Sequence, residues 1–245
     1  MAIGARAEAI SSEIVGYAGA SVTRGSTTAI GIQFGDVTSV TEEIPIVDLL
    51  TVTGSKANTK ANSAGANVDK LMVWRTNKYE TYYLSSELGG WVKSGAEEDG
   101  ITTDTVKPGD GIFFKKASST AGSYNIAGKV LKSTDVETIT LSRNQTTFLC
   151  YPWPVEVEIQ SIAGMIAGAK SNTAANSAGQ NVDKIMVWRT NKFETYYNSS
   201  ELGGYVKSGE SALTTDTIDA GAGFFLKKAS STAESITFTA PAGLE

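Results

Sequence analysis

Residues 68–78 read VDKLMVWRTNK, and residues 182–192 read VDKIMVWRTNK, the same phrase with one letter changed. Within it Leu71 and Val73 alternate with Met72 and Trp74. That is a period of two, the signature of a strand with two distinct faces. Thr76-Asn77-Lys78 is a turn signal, because Asn tolerates a left-handed backbone. Residues 79–84 then return as a second strand rich in Tyr and Thr. The phrase predicts a β-hairpin, written twice.

The match extends outward. Residues 61–95 align with 175–209 without a gap and differ only at Ala66/Gln180, Leu71/Ile185, Tyr79/Phe193, Leu84/Asn198 and Trp91/Tyr205. Further on, TTDTVKPGDGIFFKKASST (102–120) answers TTDTIDAGAGFFLKKASST (214–232). Upstream, TRGSTTAIGIQF (23–34) answers SRNQTTFLCYPW (142–153) more weakly. EIVGY near the start, NIAGK at 125–129 and ITFTAP near the end share one phase. The expectation is one opening strand followed by two modules that each close with a similar strand. Val155, Val157 and Ile159 alternate with Glu156 and Glu158, which predicts a half-buried strand. Residues 57–67 and 170–181, rich in Ala, Asn, Ser and Gly, read as loops. Short strands with turns every ~8–12 residues point to sandwich- or barrel-like β architecture. The expected fold is all-β: two tandem homologous modules, 14–128 and 129–245, related by a pseudo-twofold or screw, after a tail of 1–13.

Composition narrows the chemistry. The 245 residues hold no His and one Cys, Cys150. That removes Ser-His-Asp and Cys-His catalysis, His-ligated metals, intrachain disulfides and CxxC motifs. The net charge is −5 and no basic run exceeds two residues, so there is no electrostatic footprint for nucleic acid. No apolar run approaches the ~18–20 residues of a membrane-spanning helix. Ala5-Arg6-Ala7 resembles the small-residue pattern before a signal-peptidase cut, without the apolar stretch that should precede it. It reads as the end of an export signal or as an ordinary terminus. The final Leu244-Glu245 reads as a recombinant remnant.

IVGY, DKLMVWRTNKYETYY, GGWV, PGDGIFFKK and YPWPVEV, taken together, resemble secreted tandem-repeat proteins of environmental bacteria of the Planctomycetes–Verrucomicrobia kind. The resemblance covers nearly the whole chain. It implies export and a β-rich repeat, and it transfers no functional residue. The first half departs from the pattern where Gln33-Phe34-Gly35 stands in place of Pro152-Trp153-Pro154.

Three kinds of site residue stand out. Trp74, Tyr82, Tyr83 and Trp91, with Trp188, Tyr196, Tyr197 and Tyr205, would form flat platforms for the C–H faces of sugars if exposed. The alternative is a core wall, with at most one Tyr of each adjacent pair buried in a simple sheet. Ile14, Val15, Gly16 and Tyr17 form the opening strand, free to pair with another chain or to pair at home. Asp69, Glu80, Glu87 and Asp104 recur as Asp183, Glu194, Glu201 and Asp216, and recurrence argues against one asymmetric catalytic pocket. Lys115-Lys116 and Lys227-Lys228 read as charged gatekeepers at strand ends. Glu97-Glu98-Asp99-Gly100 and Asp110 would suit Ca²⁺, though they read better as a solvated loop and do not recur in the second half. Cys150 aligns with Gly31 and reads as a small buried hydrophobe. No catalytic residue, metal or cofactor is expected. The leading expectation is a secreted or cell-surface structural protein, not an enzyme, that self-associates through edge strands into oligomers or filaments. The rival is an extracellular carbohydrate-binding module.

Overall fold

The computed structural model describes residues 15–36, 43–58, 67–96, 100–132, 137–171, 181–189, 192–229 and 233–241. The first half runs β1 (Val15–Val22), β2 (Thr27–Gly31), β3 (Phe34–Gly35), β4 (Ile44–Pro45), α1 (Ile46–Leu49), β5 (Thr51–Thr53) and β6 (Lys70–Arg75). It continues with β7 (Lys78–Ser85), β8 (Gly90–Lys93), β9 (Thr105–Val106), β10 (Gly111–Lys115) and β11 (Gly122–Val130). The second half runs β12 (Glu137–Leu141), β13 (Thr146–Cys150), β14 (Val157–Glu158), α2 (Ile159–Gly164), β15 (Lys184–Arg189) and β16 (Lys192–Ser199). It ends with β17 (Gly204–Lys207), β18 (Thr217–Ile218), β19 (Gly223–Lys227) and β20 (Glu234–Phe238). The protein is all-β.

The repeated phrase forms the expected hairpins. In β6–β7, Trp74 faces Tyr79 and Arg75 faces Lys78. Thr76 (φ 48°) and Asn77 (φ 64°) are both left-handed. Two such residues make the turn whose twist matches that of antiparallel strands. One five-stranded sheet has the order β2-β10-β6-β7-β8, and another has the order β13-β19-β15-β16-β17. Opposite the first lies the sheet β1-β11-β3, with β5 also on β11; β12 pairs with β20 in the second half. Ile30, Leu71, Val73 and Phe114 of the five-stranded sheet share one core with Val22, Phe34, Tyr124 and Ile126 of the facing sheet. Side chains of this size each contribute about 1.5–3 kcal/mol when buried.

Two expectations need correction. The stretch 155–159 is not one strand. Only Val157–Glu158 pairs, with β18, and α2 starts at Ile159, placing Ile159 and Ile162 in the core three residues apart. The opening strand is also not a single extra one. β1 lies antiparallel to β11 from Val15↔Lys129 to Val22↔Gly122, and β12 lies against β20 in the same way. Each half therefore brings its own opening strand, and β11 runs through the 128/129 boundary. Ile14 and the stretch 1–13 lie outside the described residues.

The two halves dock through the outer faces of their five-stranded sheets. The Gly31 N–H donates to Gly221 O at 2.7 Å, and the Cys150 N–H donates to Gly109 O at 2.7 Å. In the sequence alignment Gly31 corresponds to Cys150 and Gly109 to Gly221, so the two bonds are reciprocal. A Cβ on Gly31 would lie 2.1 Å from Cys150 Sγ, which explains Gly at this position. At the centre Phe148 is stacked between Phe113 (centroids 4.6 Å) and Phe225 (4.4 Å). Cβ atoms on Gly111 and Gly223 would meet its ring at 2.8 and 2.6 Å, so both strands approach closely only without side chains there. Met72, Trp74 and Met186 pack around this stack.

Candidate functional site

Six of the eight predicted platform residues are enclosed. Tyr82, Tyr83, Tyr196, Tyr197 and Tyr205 are 0% exposed and Trp91 is 3% exposed. They present no ring face to a ligand. Both members of each Tyr pair are buried because both sheet faces are covered. Tyr82 enters the main core, while Tyr83 packs with Val68 and Val92 under the loop that follows β7. Trp74 and Trp188 remain, and they meet different fates. The Trp74 indole N–H donates to Thr146 O at 2.6 Å, and its ring meets Phe225 edge-on at 5.4 Å. Asn77 Oδ1 accepts the Thr146 N–H at 3.1 Å and closes the same side.

Beside the Trp74–Tyr79 contact the halves leave a crevice of about 420 Å³. It is lined by Met72, Tyr79 and Phe113 from one half, by Trp188 and Phe193 from the other, and by Gly25-Ser26-Thr27. Tyr79 and Phe193 are each 42% exposed. Tyr79 meets Phe113 at 5.8 Å, and Trp188 meets Phe193 at 4.7 Å, both edge to face. Trp188 is half-buried, like Trp74. Burial raises the Tyr79 hydroxyl above the usual phenol range, so it stays a neutral donor and acceptor. Reading the sequence for platforms missed Tyr79 and Phe193. They are the aligned aromatic pair at the hairpin turn, and their shared aromatic character was the available signal.

The recurring carboxylates form two other arrangements. Tyr82 Oη donates to Asp104 at 2.6 Å and to Glu80 at 3.1 Å, and Lys93 Nζ reaches the same oxygens at 2.9 and 3.0 Å. Tyr196, Glu194, Asp216 and Lys207 repeat the pattern. The Tyr82 hydroxyl and then Lys93 hold Asp104 below the usual carboxylate range; Tyr196 and then Lys207 do the same for Asp216. Lys207 likewise lowers Glu194. These three groups stay ionised at neutral pH and are poor proton donors there. Arg75 and Arg189 donate to the carbonyls of Thr105 and Thr217. Arg75 also lies 3.8 Å from Asp110; Ala222 stands at the corresponding place, and Arg189 instead pairs with Glu194 at 3.3 Å.

Asp69 and Asp183 are the second arrangement, and here the gatekeeper reading is corrected for two lysines. Lys115 and Lys227 are exposed, but Lys116 and Lys228 turn inward, each 1% exposed, onto Asp69 and Asp183 at 2.8 and 2.7 Å. The period of two sends consecutive lysines to opposite faces. Asp69 also accepts the N–H groups of Lys56 and Ala117, so it ties three chain segments together. Cys150 is fully buried, donates to Tyr151 O at 3.0 Å, and burial pushes its thiol well above the normal range. It is an inert packing group.

No group of three His, Cys, Asp or Glu able to hold a metal occurs among the described residues, and Glu97, Glu98 and Asp99 lie outside them. No helix among the described residues is long and apolar enough to cross a membrane. Val15, Gly16 and Tyr17 sit in β1, paired with Lys129, Gly128 and Ala127; Tyr17 is 78% exposed. Neither a protein-family model nor a curated protein matches this sequence.

Proposed function

We propose that the chain is two homologous β-sandwich-like modules docked about a pseudo-twofold, and that it acts outside the cell as a non-enzymatic binding protein. Its ligand is a sugar unit of a glycan, held in the crevice between the modules. The observation that carries this reading is the aromatic crevice itself, with Trp188, Tyr79 and Phe193 lining it. Its volume and its apolar lining with few polar groups match small-ligand sites. Flat rings cover the C–H faces of a pyranose at little entropy cost. The Trp188 N–H, the Tyr79 hydroxyl and Ser26 supply directional contacts for its hydroxyls.

A glycan array followed by titration calorimetry tests this. Trp188→Ala is expected to weaken binding at least tenfold, because aromatic anchors commonly carry ~2 kcal/mol or more of binding energy. Trp74→Phe, at a position outside the crevice lining, is expected to leave affinity unchanged. Absence of any bound glycan, or equal loss from both variants, sinks the reading.

A second reading, structural self-assembly through strand edges, rests on β1. The strand VGYAGASV carries no charge and no Pro, and its edge away from β11 has no partner strand among the described residues. Such edges are normally blunted. Light scattering should then show mass growing with concentration, and Ala18→Lys should stop the growth. A constant monomer mass removes this reading.

A further inference from the structure

We infer that the second half forms an intramolecular amide between Lys228 and Asp183, promoted by Glu234. This does not depend on the ligand-binding reading.

The observations lie in one buried site. Lys228 Nζ is 2.7 Å from Asp183 Oδ2 and 3.3 Å from Glu234 Oε2, with Lys228 and Asp183 essentially closed to solvent. Asp183 Oδ1 accepts the Ala229 N–H at 2.7 Å, and Oδ2 accepts the Lys170 N–H at 2.9 Å. Asp183 and Lys228 flank the neighbouring strands β15 and β19, where Lys184 pairs with Lys227. Sheet hydrogen bonds therefore hold nucleophile and electrophile together, which removes the entropy cost of their encounter.

The step is a condensation. Proton transfer within the ion pair leaves an uncharged amine and carboxylic acid. The Nζ lone pair attacks Asp183 Cγ, and negative charge develops on Oδ1, where the Ala229 N–H already points. Glu234 accepts a proton from Nζ and returns it to Oδ2. The Cγ–Oδ2 bond breaks and water leaves. The ammonium gives up two protons, both of which depart with Oδ2. The Nζ–Cγ bond remains, and nothing is oxidised or reduced.

The first half is the internal control. Lys116 Nζ meets both Asp69 oxygens at 3.0 and 2.8 Å, and Ala117 N–H meets Oδ1 at 2.9 Å. Its third contact is the Gly54 carbonyl at 2.6 Å. Gly122 stands at the position of Glu234. A backbone carbonyl cannot relay a proton, so that pair stays ionic.

Intact-mass spectrometry of the full chain, followed by peptide mapping, tests the proposal. The expected result is a mass lower than the sequence mass by one water, with one branched peptide joining Asp183 to Lys228. Glu234→Gln is expected to restore the full mass while keeping the fold, checked by circular dichroism. A full-length chain at its unmodified sequence mass overturns the proposal. So does loss of water that persists in Glu234→Gln, or a link mapped to Lys116 and Asp69.

Discussion

Trp74 and Trp188 occupy the same place in the same phrase and are both half-buried, yet one is hydrogen-bonded to the other half and the other lines a crevice. Each meets the aromatic across its own hairpin, Tyr79 at 4.6 Å and Phe193 at 4.7 Å. The difference comes from the opposite half. Trp74 finds the Thr146 carbonyl and the ring of Phe225, next to Phe148. Trp188 lines the crevice with Thr27, and Ala29 stands where the other side has Phe148. Identical local structure becomes wall or site according to what docks on it.

The halves can be set against each other experimentally. The largest effect is expected at the two buried Lys–Asp contacts, ionic at Lys116–Asp69 and joined by the proposed amide at Lys228–Asp183. Asp69→Ala leaves Lys116 buried without its counter-charge and should cost about 4 kcal/mol in guanidinium unfolding. Asp183→Ala should cost at least as much, and a loss below ~1 kcal/mol at both sites would show that the pairs do not hold the halves. Next comes the stack between the halves. Phe148→Ala should cost about 3 kcal/mol, and Ala29→Gly far less, because only Phe148 fills the space between Phe113 and Phe225.

pH probes the two Tyr–Lys–carboxylate clusters. Asp104, Asp216 and Glu194 have lowered pKa values in the folded protein. Their stabilisation is present above the ordinary carboxylate pKa and is lost as pH falls through the folded one. Hydrogen bonds from the lysines first to Asp104 and Asp216 raise Lys93 and Lys207, while burial first raises Tyr82 and Tyr196. That contribution is full below their unfolded pKa values and is lost as pH rises through the folded ones. Denaturant midpoints should therefore plateau around neutrality and fall in both acid and strong base. Asp104→Asn should flatten part of the acid limb, and an unchanged limb would place the acid sensitivity elsewhere.

Smaller effects separate the two tryptophans. Trp74→Phe should lose about 1 kcal/mol through its bond to Thr146, whereas Trp188→Phe should stay within ~0.5 kcal/mol, read from thermal unfolding. Equal losses would mean that both sides are closed in solution. Least of all, Thr76→Asn should stabilise by about 0.5 kcal/mol, since a β-branched residue at φ 48° is strained and Asn is not.

Strands and turns were legible because their causes are local. The alternation of Leu71 and Val73 with Met72 and Trp74 appears as buried and half-buried faces. The turn at Thr76-Asn77 follows from residue type alone. The stretch 155–159 misled because Val, Val and Ile at alternate positions fit a strand, while the structure pairs only two residues before α2 begins. The buried Tyr pairs misled because a sheet face is open only if nothing packs on it. Lys116 and Lys228 misled because two adjacent lysines look solvated until a carboxylate is found facing one of them.

The sequence by itself determined the repeated hairpin, the all-β class and the absence of His-dependent chemistry, because spacing and composition act over a few residues. Tertiary structure decided which aromatics are core, which lysines are buried and where the crevice lies. Those outcomes depend on contacts between residues more than a hundred positions apart, such as Trp74 with Phe225 and Gln33 with Trp153. No local pattern encodes which of two identical faces will be covered.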